Sequence, residues 1–411
     1  MNIKKLLMIA LIFFFGQAHA LTFQVIALGD DIDNNPGDGV CEIPIGFGFC
    51  SLRAAIIEAN ALGGSHTIEL AAGVHELTIM GEENDAFAGD LNVNNADITV
   101  IGQGVDATVI DGNQNFRIFN VANNGMFNIL NLTLTAGRAG TVSANVGGAM
   151  LISGNMTQVN IDNVKVVSNS ANIGGGLFIS LAEVFITNAQ FVDNFTENLG
   201  FTNIFGPAIY CSSCDLGIDS STFQRNNLGG KAIELDGGSL FMTNSTMTDN
   251  SGGGIRTTNS DAVIRFSTFV SDTAQNLSHF SFDDSQFMNI GHSILYTDPA
   301  AFIDNCQSGD KPTSAGYNIV NDVSCEFSAV GDAENTDAML SGLSNHGGPT
   351  DTFLPLTGSP AIDLVPNAAC LNAYGNLLLI DQRGDSRPNG ISCDAGSVEV
   401  NQDVIFGSGF D

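Results

Sequence analysis

The sequence predicts an all-β fold: a single-stranded right-handed parallel β-helix, with a short N-terminal capping helix and an irregular C-terminal cap. Three observations carry this. Segments beginning at Val159, Val184, Leu216, Leu240 and Ala262 align without gaps, and a looser copy begins at Phe127. Each copy alternates apolar and polar residues over short stretches broken by Asn and Gly, the pattern of half-buried strands. The composition also disfavours helices, with 47 Gly, no Trp and only 14% charged residues in 411. A repeat of roughly 25 residues without a helical stretch is one rung of a solenoid; a propeller blade needs about 40.

The elements follow in chain order. Residues 1–20 read as a secretory signal peptide: Lys4 and Lys5, an apolar stretch from Leu6 to Phe15, then Ala18-His19-Ala20 as the cleavage site. No later apolar run approaches transmembrane length, so the mature chain is expected to lack a membrane-spanning segment. Next comes an acidic run. Asp31, Asp33, Asn35, Asp38 and Glu42 are a calcium candidate, because hard cations take several oxygens from one tight loop. Pro36 occupies the place where an EF-hand loop needs glycine, so the loop is not of that type.

Residues 50–60 form the best helix pattern, with Leu52, Ala55, Ile56 and Ala59 on one apolar face and Gly63-Gly64 as the stop. This is the expected lid on the open end of the solenoid, and 21–65 the N-terminal cap. The β-helix is assigned to 66–330. Stretches 67–70, 97–101 and 108–112 are less regular rungs, and 287–330 adds one or two more.

Within the regular rungs, equal positions stack on equal positions. One interior column is Ile129, Ile161, Ile186, Ile218, Met242 and Ile264; another is Leu134, Val166, Phe191, Phe223, Met247 and Phe269. Two residues after the first column come Asn131, Asn163, Asn188, Ser220, Asn244 and Phe266. Three after the second come Gly137, Asn169, Asn194, Asn226, Asn250 and Asp272. Asparagine suits corners because it tolerates positive φ, and its stacked amides can form a ladder. The sequons at Asn131 and Asn244 are accordingly read as ladder positions.

Eight cysteines fall into near neighbours: Cys41 with Cys50, Cys211 with Cys214, Cys306 with Cys325, and Cys370 with Cys393. An even count in an exported chain favours disulfides, and proximity suggests this pairing. Cys211 and Cys214 have redox spacing, but they lie in a strand pattern without the helix start that lowers a thiol pKa.

Two short motifs carry a family resemblance. Phe191-x-x-Asn194 and Phe223-x-x-Asn226, with Gly147-Gly148-Ala149-Met150, resemble the repeats of polymorphic outer-membrane proteins, surface passengers of pectin-lyase-like architecture. Residues 23–62, with Cys50-Ser51-Leu52-Arg53-Ala54-Ala55, resemble the CSLREA domain that precedes bacterial β-helices. Ala54 stands where that family has Glu, which leaves a capping box half made. Ala54→Glu is therefore expected to stabilise the helix. Residues 331–400 resemble the choice-of-anchor Q domain through Asn345-His346-Gly347-Gly348-Pro349-Thr350, Gly358-Ser359-Pro360-Ala361, Asp381-Gln382-Arg383-Gly384 and Cys393-Asp394-Ala395-Gly396. These resemblances imply a bacterial protein that is secreted or displayed on the outer cell surface; within the C-terminal tail 401–411, residues 405–411 read either as a short sorting or docking tag or as a frayed end.

Thirteen Lys+Arg against 44 Asp+Glu give a net charge of −31, which repels phosphate backbones and anionic lipid. Nucleic acid is excluded as a partner, and a glycan or a cell-surface ligand is expected. If Met150, Leu177, Ile209, Ile233 and Ile255 face inward, Leu151, Phe178, Tyr210, Glu234 and Arg256 form an outward stripe able to stack on sugar rings. Insertions 136–146 and 195–205 would wall it or fold over it. The sequence nominates no catalytic residue. Lys165, Arg225, Lys231, Arg256 and Arg265 align with no carboxylate pair, Asp162 and Asp219 are separated by Thr187, and the five histidines beyond residue 20 are scattered. The leading reading is a binding or adhesion module. The alternative is a polysaccharide lyase or glycoside hydrolase on the same rod.

Overall fold

Side chains that alternate in and out, repeated rung after rung, leave the chain one way to bury its apolar set: to wind. The computed structural model describes residues 20–44, 48–81, 86–122, 125–139, 145–197, 205–271, 278–283, 287–301, 303–307 and 311–401. Nearly all of the expected signal peptide and of the 401–411 tail lies outside these, as do Asp272 and residues 140–144 and 198–204 of the insertions. A 24-stranded sheet results, in which all strand-to-strand pairings are parallel. Rungs rest on one another at the inter-strand spacing of about 4.8 Å.

The register matches the sequence alignment residue for residue. On the first face, Phe127 pairs with Val159, Val159 with Val184, Val184 with Leu216, Leu216 with Leu240, and Leu240 with Ala262. The second face stacks Leu134, Val166, Phe191, Phe223, Met247 and Phe269 in the same way. On the third, Met150, Leu177, Ile209, Ile233 and Ile255 pair in series. These columns are buried, and each large side chain contributes about 1.5–3 kcal/mol relative to exposure. Phe191 and Phe223 stack with centroids 4.9 Å apart and planes 10° apart.

The two Asn columns solve different problems. Asn131, Asn163, Asn188, Ser220, Asn244 and Phe266 have φ between 47° and 57°, as expected of a corner. The other column is not in that conformation. There the preceding residues Ser168, Asp193, Arg225 and Asp249 take positive φ, and the asparagines point inward as a buried ladder. Asn169 Nδ2 donates to Asn194 Oδ1 at 3.0 Å, Asn194 to Asn226 at 3.0 Å, and Asn226 to Asn250 at 2.9 Å. Asn131 accepts from Asn163 at 2.9 Å, as its ladder reading requires. Asn244 instead donates to the Ile380 carbonyl at 2.9 Å. Glycine opens the third corner: a Cβ on Gly175 would lie 2.3 Å from the Phe195 carbonyl oxygen.

The N-terminal lid is the helix Leu52–Leu62, capped by Ser51, whose hydroxyl accepts from Ala54 N–H at 3.1 Å. It is buried on nearly every side, including Arg53 and Glu58. Arg53 pairs with Asp30 at 2.6 Å and donates to the Ala86 and Gly89 carbonyls. Glu58 accepts the Gly37 and Gly39 amides, fastening the acidic run over the helix. Ala54 is 0% exposed, so the expected gain from Ala54→Glu does not hold. A carboxylate there would lose its water with no partner in place.

At the far end, Phe287–Gly291, Ile294–Thr297, Thr313–Ser314 and Ile319–Val320 continue the first two faces, and Cys306–Cys325 closes the final turn. Residues 338–400 do not sit on that end. They form an irregular flap along the flank of the rod at its first corner, where Phe266, Ile294 and Ile319 join Ala361, Val365 and Cys370 in a second core. All four expected disulfides are present, with Cα separations of 5.3, 5.7, 4.9 and 6.3 Å from the N-terminal pair onward.

Candidate functional site

The acidic loop uses its carboxylates on itself. Asp33 accepts the Glu42 amide at 2.9 Å and the Asn35 amide at 3.0 Å. Asp38 accepts the Val40 amide and the Asn35 side chain, both at 2.9 Å. Glu42 accepts the Gly48 amide at 3.2 Å, and the Asp31 carbonyl takes the Ser51 hydroxyl. Among the described residues no three His, Cys, Asp or Glu side chains gather to hold a metal ion. The five calcium candidates are thus spread around a turn rather than brought to one point.

The outward stripe has the expected register: Leu151, Phe178, Tyr210, Glu234 and Arg256 are consecutive partners. Phe178 and Tyr210 stack at 5.5 Å with planes 14° apart, both half-buried. Glu234 departs from the expectation. It faces away from the core yet is only 3% exposed, because the Gly230–Lys231 turn crowds its carboxylate and the Gly206 and Lys231 amides bond it. Phe205 stacks on Tyr210 at 6.1 Å, and the Arg256 guanidinium lies 5.9 Å from the Phe205 ring centre. Glu234 accepts the Lys231 amide at 2.9 Å and faces Arg256 at 3.8 Å. Burial pushes its carboxyl up to about 7 against the pull of Arg256. Burial, then Asp236 and Glu234, raise the Tyr210 phenol. The stripe is therefore partly roofed.

Groups that could do chemistry elsewhere are mostly committed. Asp162 accepts Thr187 Oγ1 at 2.8 Å and Asn188 Nδ2 at 2.9 Å, while Asp219 accepts the Ser220 hydroxyl at 2.9 Å. Arg225 pairs with Asp193, Arg265 donates to Asn289, and Lys231 reaches the Ser278 carbonyl. Burial lowers His279 to about 4 and His292 to about 3, so both are neutral side chains of the interior.

A different place offers an open recess. On the first face, the outward side chains of three adjacent rungs form a grid: Glu183, Phe185, Thr187; Asp215, Gly217, Asp219; Ser239, Phe241, Thr243. The centre of the grid has no side chain. Two rings flank it across the rungs, about 10 Å apart by strand spacing, and two carboxylates flank it along the strand. Tyr374 of the flap reaches over this gap, stacked on Phe241 at 4.6 Å and 20°. A Cβ on Gly217 would stand 2.5 Å from the Tyr374 hydroxyl and 2.7 Å from the Phe185 ring, so only glycine lets these two side chains close over the strand. The remaining recess measures about 140 Å³.

Its walls are fixed from below. The Tyr374 loop is pinned where the Ala373 amide donates to Thr243 Oγ1 at 3.0 Å, and the Cys370–Cys393 bond closes it from behind. Asn372 Oδ1 accepts the Tyr374 and Asn376 amides. Burial raises the Asp219 carboxyl, opposed chiefly by Ser220. Burial and three nearby acids, Glu183, Asp219 and Asp215, raise the Tyr374 phenol, which keeps it a hydrogen-bond donor. Sequence reasoning missed this recess because Tyr374 is remote in the chain. One signal was present: Gly217 interrupts an outward column that carries Phe185 before it and Phe241 after it. A larger cleft of about 430 Å³ lies between the rod at Val270 and Tyr296 and the flap at Met339 and Phe353.

No known protein family and no curated protein matches the chain. Among solved structures it is similar to pectate lyase Pel9A, at 14% identity and a TM-score of 0.46, over 93% of this chain and 98% of that one. It is also similar to the A-module of the Azotobacter vinelandii mannuronan C-5 epimerase AlgE4, at 13% identity and a TM-score of 0.32, over 73% and 95% respectively.

Proposed function

We propose that this is an exported, surface-displayed β-helix protein that binds carbohydrate. The observation that carries the reading is the recess at Gly217. Aromatic faces give apolar contact to a sugar ring, and the carboxylates and the phenol supply hydrogen-bond partners at its edge, the usual make-up of a small-molecule site. Export is supported by the charged start and apolar stretch of 1–20 and by four disulfides, which persist in oxidising surroundings. Among the described residues no helix is long and apolar enough to cross a membrane. Surface display is supported by the resemblances at 23–62 and 331–400. The test is a glycan array probed with the wild type, Phe185→Ala/Tyr374→Ala and Phe178→Ala/Tyr210→Ala. Binding lost only in the first variant supports the recess; loss only in the second moves the site to the stripe; no binding by the wild type ends the reading.

The alternative, a polysaccharide lyase or hydrolase on the same rod, has one observation in its favour. Glu234, pushed up to about 7 beside Tyr210, can exchange a proton near neutral pH. Incubating the protein with acidic polysaccharides, with and without Ca²⁺, and scoring chain shortening tests it. Cleavage that disappears in Glu234→Gln supports the enzyme; its absence in the wild type dismisses it.

A further inference from the structure

We propose that the Gly217 recess selects a cationic glycan, a polymer of amino sugars carrying free protonated amines, over neutral or uronic-acid polymers. The inference rests on the reading of the recess as a sugar site and adds the chemical class of its occupant.

Asp215 and Asp219 flank the missing side chain on its own strand, and Glu183 adjoins Asp215 on the neighbouring rung. Asp215 accepts one hydroxyl, from Ser239 at 2.6 Å, and Glu183 accepts the Gln158 amide at 2.7 Å. Both carboxylates keep acceptor capacity, and among the described residues neither has a basic partner. Two cations on this flank hydrogen-bond elsewhere, although Arg387 also draws on Asp219. Arg265 donates to the Ile264 carbonyl and to Asn289, and buried Arg387 to the Asp394 and Gly396 carbonyls. A sugar in the recess beside Gly217 would thus meet Phe185 and Tyr374 with its ring and Asp219 at its edge, with Asp215 and Glu183 within electrostatic reach of the same phenol. A ring amine gains both an ion pair and a cation–π contact there. A uronate meets repulsion locally and from a molecule of net charge −31.

The experiment is calorimetric titration of the intact protein, at mildly acidic pH and two salt concentrations, with a β-1,4-glucosamine hexamer, its fully N-acetylated form and hexagalacturonate. The glucosamine hexamer is expected to bind at least about tenfold more tightly than the acetylated one and to weaken with salt, with no heat from the uronate. Glu183→Gln/Asp215→Asn should bring the two hexamers to within about twofold of each other. Gly217→Ala pushes aside both the Tyr374 hydroxyl and the Phe185 ring and should abolish binding of both; circular dichroism verifies its fold. Equal binding of the two hexamers overturns the cationic preference while leaving the recess a sugar site. Glucosamine binding that survives Gly217→Ala overturns the site itself, because the cation is then held by diffuse surface charge. Binding of the uronate overturns the class outright.

Discussion

The first corner of the rod is made in two ways on one backbone. At Asn131, Asn163 and Asn188 the corner residue is half-exposed. At Phe266 and His292 it is buried beneath the flap, with φ of 48° and 59° against 50° to 57° for the three asparagines. The flap contacts this corner rung by rung: Thr350 reaches the Ser220 carbonyl, Ile380 receives Asn244, Arg387 covers the Phe266 ring at 4.6 Å, and Gly396 N–H donates to the His292 carbonyl. A non-glycine residue pays roughly 1–2 kcal/mol to adopt this conformation, and asparagine pays least. In water that cost selects asparagine. Under the flap the residue varies: Ser220 and Asn244 stay polar and hydrogen-bonded, whereas at Phe266, His292 and Tyr317 ring burial outweighs the cost, with ring centroids 4.7 and 5.9 Å apart. The backbone sets the torsion, and the covering layer widens the choice of side chain.

Phe266→Ala should break the covered half most deeply. It removes a fully buried ring and leaves Arg387 without its aromatic face, so a loss of about 3–5 kcal/mol is expected by urea denaturation. Limited proteolysis should then cut the flap first. A midpoint equal to that of the wild type would mean that the flap does not depend on this corner.

Asn194→Ala, in the buried ladder, comes next. It leaves the Asn169 amides, the Asn226 carbonyl group and the Val166 carbonyl each short of a partner, and should cost roughly 3 kcal/mol. Asn163→Ala sharpens the contrast. It gives up one half-exposed amide bond and some ease with positive φ, and should cost only about 1 kcal/mol. Similar losses for the two would show that burial does not separate the columns.

The smallest change at neutral pH is expected from His292→Asn, which writes the exposed version of the corner into the covered part. Its effect belongs to the acid side. The imidazole is held near 3 by burial, with Arg265 and Arg387 adding to the shift, against an ordinary value of 6.5. The unfolded chain therefore binds the extra proton first, and stability that is complete above about 6.5 is lost as pH falls toward 3. In His292→Asn the denaturation midpoint should fall less over that window. An unchanged acid slope would assign the loss to other groups, His279 first among them.

What the sequence made legible is what repeats. The Ile161, Ile186 and Ile218 column, the Gly-Gly strand starts and the Ser51-to-Gly63 helix are each encoded within a few residues, and the structure keeps their register. Neighbouring cysteines likewise pair with one another. What stayed hidden is lateral and aperiodic. The Arg53–Asp30 pair, Phe205 against Arg256, and Tyr374 above Gly217 each join distant segments through one contact, and no period announces them. The apparent second set of corner asparagines misled for a related reason. Spacing gives a residue's place on the rung, while Asn194 needed its neighbours above and below to show that it points inward.

The flap also measures the rod. Gln382 grips Thr222 and Thr246, and Ser397 reaches Thr246 and Thr268, so three successive threonines in one vertical row are read like marks on a gauge. One step toward the start of the row stands Gln190, and one step past its end stands Ile294, neither of which offers the same hydroxyl. A chain wound one turn out of step would find its clasp unable to fasten. The flap thereby inspects the winding of the rungs it spans.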